Sequence, residues 1–142
     1  MANWQEHMRT GIDVVDDDHQ ELFALVGQFE TASKTASGQV DGAEIGRILE
    51  RLQAYVNEHF EREETAQLES GYEGYAENKR QHDELRRTLE TFLGKHRRGE
   101  WGDLKVATES MRSFLAIWLS EHIMKTDRKM RGRILPWVRK RA

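Results

Sequence analysis

The chain has 142 residues, no cysteine, a single proline (Pro136) and a formal net charge of −3. That length suits one domain with a sizeable core and no staples. The missing cysteines exclude disulfides, thiolate metal sites and Fe–S clusters, and the charge gives no general attraction to nucleic acid.

Four helices are expected in chain order, after an N-terminal arm (1–15) that carries no apolar signal core. The first spans 16–37. Asp16, Asp17 and Asp18 place negative charge at its N-terminus, where the helix dipole favours it, and Leu22, Phe23, Leu25, Val26 and Phe29 form its apolar stripe. The second spans 41–70, with Ile45, Ile48, Leu49, Leu52, Val56 and Phe60 on one face. Gly71 and Gly74 mark the next turn. The third spans 75–98, with Leu85, Leu89, Phe92 and Leu93 facing inward. After Gly99 and Gly102 the fourth spans 103–131, with Val106, Met111, Phe114, Leu115, Trp118, Leu119 and Ile123 as its apolar set. No stretch alternates like a strand, and short loops force neighbouring helices antiparallel. The fold class is therefore all-α, an up-down-up-down antiparallel four-helix bundle over 16–131, followed by a basic tail (132–142). No stretch approaches a membrane span, and a cytoplasmic location is the simplest expectation. The tail interleaves Ile134, Leu135, Trp137 and Val138 with arginine and lysine. It reads either as a solvated helix end or as a contact for a membrane or an acidic partner.

Of six histidines, His7 in the arm and His96 in the run Lys95-His96-Arg97-Arg98 are expected to be idle. His19, His59, His82 and His122 fall one to each helix. At a rise of about 1.5 Å per residue, His19 and His59 both lie roughly 27 Å from the first interhelical turn. His82 and His122 lie roughly 24 and 28 Å from the third. All four therefore converge on one layer. His59 and Glu63 are i and i+4 on one face. His122 and Asp127 are five apart, about 500° of turn, an offset that suits a carboxylate reaching sideways to bridge two metals. Imidazole and carboxylate without thiolate suit iron, manganese or zinc, and inward His and Glu from several helices build di-metal sites in bundle cores.

These residues resemble the bacterial hemerythrins. The resemblance rests on Asp-Asp-Asp-His-Gln-Glu-Leu-Phe at 16–23, His-Phe-Glu-Arg-Glu-Glu at 59–64, Gly-Tyr at 71–72, His82, and Trp-Leu-Ser-Glu-His-Ile at 118–123 with Asp127. Trp4 and Gly11-Ile12 also match, so it covers nearly the whole chain. It implies two iron ions (Fe2+/Fe3+) with an oxo or hydroxo bridge, and dioxygen as the ligand. His19 and His59 would hold the iron that keeps an open position, and His82 and His122 the other. Glu63 and Asp127 would bridge them, and Leu119 and Ile123 would line a dry oxygen pocket. The chain departs from the family pattern at one point. That pattern has histidine at both 78 and 82, whereas this chain reads Asn78-Lys79-Arg80-Gln81-His82. Asn78 could bind weakly through its amide oxygen or leave a water-filled position, or Tyr75 could fill the gap.

Two other functions fit part of the pattern. His59, His82-Asp83 and Asp127 follow the order of a metal-dependent phosphohydrolase. That reading turns Asp83 about 100° from His82 and leaves His19, Glu63 and His122 without a role. A di-iron centre could also reduce oxygen or peroxide. Whether oxygen would be stored, delivered, sensed or reduced stays open. Tyr72 is expected as a packing residue, and Trp118 as outer core rather than part of the site.

Overall fold

A computed structural model describes residues 4–33 and 40–134. Four α-helices dominate: α1 Asp13–Ser33, α2 Gly42–Glu69, α3 Tyr75–Arg98 and α4 Leu104–Lys125. Short 3-10 turns lie at Glu6–Met8 and Asp127–Met130. No strand occurs among the described residues. α1 packs on α2 and α4, and α2 packs on α3. Side-chain contacts bring together the N-terminal part of α1 with the C-terminal part of α2, through His19 and Glu63. At the other end, His96 near the end of α3 meets Gly42 at the start of α2. Neighbouring helices are thus antiparallel, as expected.

Local chemistry sets the helix ends. Asp41 and Asp103 each accept two backbone N–H bonds at the starts of α2 and α4, satisfying donors that a helix cannot satisfy itself. Gly99 ends α3 in the left-handed conformation (φ 66°), which a residue with a Cβ adopts at a cost.

Two helix boundaries differ from expectation by more than one residue. α1 begins at Asp13, not Asp16, because Asp16 has another task. Its buried carboxylate accepts from the Thr10 N–H (2.8 Å), the Thr10 hydroxyl (3.0 Å) and the Gly11 N–H (3.3 Å), and so folds the arm onto the helix. The expected end of α1 at 34–37 falls outside the described residues. α4 stops at Lys125, not Arg131. Thr126 caps the helix (φ −116°, ψ −58°), with its N–H still bonded to the His122 carbonyl, and a 3-10 turn follows. Of the tail, only 132–134 is described, with Ile134 half-buried against Ile12, Val15, Tyr72 and Met130.

The core is layered along the bundle axis. Phe29, Ile45, Ile48, Leu49, Leu93 and Met111 pack at one end. Leu22, Phe23, Val26, Leu52, Val56, Phe60, Leu85, Leu89, Leu115, Leu119 and Ile123 fill the middle. Ile12, Val15, Tyr72 and Met130 close the other end. Between the middle and the closing layer sits a slab of buried polar side chains. The expected apolar positions of α1 and α2 are all buried. α4 differs: Val106 is 59% and Phe114 37% exposed. Its buried residues Met111, Leu115, Leu119 and Ile123 run at i, i+4 spacing, and Phe114 and Trp118 fall to one side, beside a groove shared with Glu84, Arg87, Thr88 and Thr91 of α3. No helix among the described residues is long and apolar enough to cross a membrane.

Candidate metal centre

The polar slab contains His19 from α1, His59 and Glu63 from α2, His82 and Asn78 from α3, and His122 from α4. Asp127 enters from the 3-10 turn after α4. All seven are buried. The change from α-helix to 3-10 turn at Thr126 explains the five-residue spacing between His122 and Asp127. Asp127 does not project from α4 itself; it is the first residue of the 3-10 turn that follows the helix.

The two carboxylates each face both histidine pairs. Glu63 Oε2 is 3.0 Å from His59 Nε2 and 3.6 Å from His19 Nε2, and its Oε1 is 3.2 Å from His82 Nε2. Asp127 Oδ2 is 3.0 Å from His19 Nε2, and its Oδ1 is 3.1 Å from His122 Nε2. Two overlapping donor groups result: His19, His59, Glu63 and Asp127, and Glu63, His82, His122 and Asp127. Within each, one ligand atom per residue lies within 4.8 Å of the others.

Both ring nitrogens of His19, both oxygens of Glu63, Asp127 Oδ2 and Asn78 Oδ1 are buried without a hydrogen-bond partner. The contacts of Glu63 and Asp127 with His19 are close but lack hydrogen-bond alignment. Buried polar atoms left that way are costly, and a cation between them satisfies them. The residues therefore fit a pair of metal ions.

The polar slab shifts proton affinities. Burial disfavours a charged His19 imidazole, but Asp127 and Glu63 beside it outweigh burial and lift its pKa to about 10. His82 behaves likewise, with Glu63 and Glu64 lifting it to about 9. Burial pushes Glu63 up, and its histidine neighbours overcome this and hold it well below the usual carboxylate range. Asp127 is also lowered, with His122 and His19 overcoming burial and the Glu63 charge.

A ring of supporting residues orients the imidazoles. The Asp18 carboxylate lies 3.0 Å from His59 Nδ1 and accepts from the Tyr55 hydroxyl (2.8 Å) and twice from Arg62. Glu64 lies 2.7 Å from His82 Nδ1 and is flanked by Arg86 and Lys79. Gln81 Oε1 lies 2.6 Å from His122 Nδ1 and also accepts from Thr126. These contacts leave Nε2 of each ring for the centre. The sequence pattern does not single out this ring. Asp18 occupies the position of a dipole complement at a helix N-terminus, and only its place one residue before His19 hints at more. Glu64 stands out only as the last residue of the His-Phe-Glu-Arg-Glu-Glu motif.

Other placements correct the reading of single residues. Trp118 is half-buried at the edge of the middle core, as expected, but it also touches the site: its ring stacks on His122 with centroids 4.5 Å apart and planes at 16°. Phe60 stacks on His82 at 3.7 Å. Tyr72 packs in the closing layer, and burial together with the Asp127 and Glu63 charges raises its phenol pKa. Tyr75 is half-buried at the start of α3, and its backbone N–H bonds to the Tyr72 carbonyl rather than to a slab residue. His96 is not idle. Its Nε2 donates to the Gly42 carbonyl (2.7 Å) and its Nδ1 accepts from Trp101 Nε1 (3.1 Å), tying together the far end of the bundle. His7 is exposed. Asp83 lies on the outer face with Lys79 and Arg86, away from the donors that a phosphohydrolase would need it to join.

A sequence model of the Hemerythrin HHE cation binding domain matches residues 10–134. This chain belongs to the hemerythrin family. Bacteriohemerythrin of Methylococcus capsulatus is 32% identical over 119 residues, covering 84% of this chain and 85% of its own. Hemerythrin of Themiste dyscrita is 31% identical over 131 residues, covering 92% of each. A crystal structure of wild-type hemerythrin superposes with a TM-score of 0.76 at 29% identity, over 92% of this chain and 95% of the other. The hemerythrin match spans all seven slab residues, from His19 to Asp127.

Proposed function

We propose that this hemerythrin-family chain binds dioxygen at a non-haem di-iron centre. His19 and His59 hold one iron, His82 and His122 the other, and Glu63 and Asp127 bridge them. The observation that carries this reading is the division of each carboxylate. One oxygen of Glu63 and of Asp127 faces the first histidine pair, and the other oxygen faces the second.

When bound, the iron pair, cycling between Fe2+ and Fe3+ about an oxo or hydroxo bridge, supplies the electrons that make oxygen binding reversible. The chain supplies the rest. Asp18, Glu64 and Gln81 fix the tautomers of His59, His82 and His122. Leu119, Ile123 and Phe60 form the apolar wall above the slab, and each is at most 6% exposed. That wall keeps water and protons from the ligand. Arg62 and Arg86 compensate the charges of Asp18 and Glu64, so these buried carboxylates are paired and the centre keeps its own charge balance.

The test is metal content with an optical spectrum before and after air. Protein loaded anaerobically with ferrous iron should hold close to two irons per chain and develop a new visible band on oxygenation that reverses on degassing. Glu63→Ala should hold none firmly. A firm value of one iron with all six donors intact refutes the dinuclear reading.

A further inference from the structure

We propose that the metal held by His82 and His122 takes a small inorganic anion of its own, at a coordination position bordered by Asn78. This rests on the di-metal reading above and extends it from one ligand position to two.

The donor count comes first. Each metal group offers the same set, two imidazoles and the two shared carboxylates. Beyond an oxo or hydroxo bridge, neither metal then reaches the six donors usual for iron, so the second metal is as open as the first. Glu64 and Gln81 reach the second group from behind, at the Nδ1 of His82 and His122, whereas Asn78 reaches it at a carboxylate oxygen. Asn78 lies one turn before His82 on the same face of α3 and is 0% exposed. Its Nδ2 donates to Asp127 Oδ1 at 3.1 Å, the same oxygen that faces His122. A donating amide nitrogen has no lone pair for a metal. With the nitrogen directed at the carboxylate, the oxygen points elsewhere. It remains buried with no partner.

Charge decides the ligand class. In the ferric form, two carboxylates and an oxo bridge leave about two positive charges uncompensated in a dry site. Asp18 and Glu64 do not help, because Arg62 pairs with the first and Arg86 and Lys79 with the second. One small monoanion per metal restores neutrality. The slab side chains are at most 4% exposed, which favours a small anion such as azide or cyanate over a bulky one.

The experiment titrates diferric protein with azide and counts equivalents by calorimetry and by charge-transfer absorption. It compares native protein with Asn78→His and Asn78→Ala, each first assayed for metal content and helicity. The native protein and Asn78→Ala should take two azides per iron pair. Asn78→His, which adds a fifth protein donor to the second metal, should take one and should hold its second metal at least tenfold more tightly. One azide in the native protein overturns the proposal, as does two in a folded Asn78→His. Should Asn78→His fail to fold, the native and Asn78→Ala stoichiometries still decide. An iron content below two in native protein overturns instead the di-metal reading beneath it.

Discussion

Asp18→Asn tests whether the supporting ring holds the centre in shape. Asp18 is 1% exposed and takes four close contacts: His59 Nδ1, the Tyr55 hydroxyl, and two from Arg62. An asparagine keeps the shape but has one accepting oxygen, and its NH2 meets donors. Two charge-assisted hydrogen bonds are lost, at roughly 1.5–3 kcal/mol each. Arg62 has 20% of its side chain exposed and recovers part of this in water, leaving a net loss of about 2–3 kcal/mol. For a chain of this size that lowers Tm by about 6–10 °C. The metal effect is separate. His59 loses the carboxylate that fixes its tautomer and strengthens its donor nitrogen, which costs roughly 10–100-fold in affinity. Competition against a coloured chelator with Co2+ or Fe2+ measures it, and a thermal melt measures stability. If metal affinity is unchanged while Tm falls, Asp18 serves only the helix packing, and the orienting role is wrong.

Phe60→Ala should cost about 3–5 kcal/mol in urea unfolding, because Phe60 is 1% exposed and stacks on His82. It should also lower metal affinity; a change in stability alone would separate the wall from the centre. pH provides a second handle. In metal-free protein, His19 and His82 are raised from 6.5 to about 10 and about 9. Their stabilisation is fully present below pH 6.5 and disappears as pH rises through 9 to 10. Tm of metal-free protein should therefore fall over that window. Metal affinity should rise over it instead, since ligand imidazoles must be neutral. A metal-free Tm flat from pH 6 to 10 contradicts the close carboxylate contacts. Asp83→Asn should leave metal content and affinity unchanged, because Asp83 faces outward; loss of a metal would reopen the phosphohydrolase reading.

The sequence by itself determined the helices of this protein and the height of its metal layer. Helix periodicity and rise are local properties, so the apolar stripes and one histidine per helix fix which residues can meet. Only the tertiary structure decided how they meet. The change from α-helix to 3-10 turn at Thr126 places Asp127 in the slab and Met130 in the closing layer, and helix spacing does not encode it. Asp18, Glu64 and Gln81 sit at positions that could equally serve solvent or a dipole, and only the neighbouring helix makes them partners of His59, His82 and His122. The same holds for Trp118 against His122 and for His96 between Gly42 and Trp101. Each of these contacts joins residues whose relative rotation about separate helix axes a linear pattern leaves free.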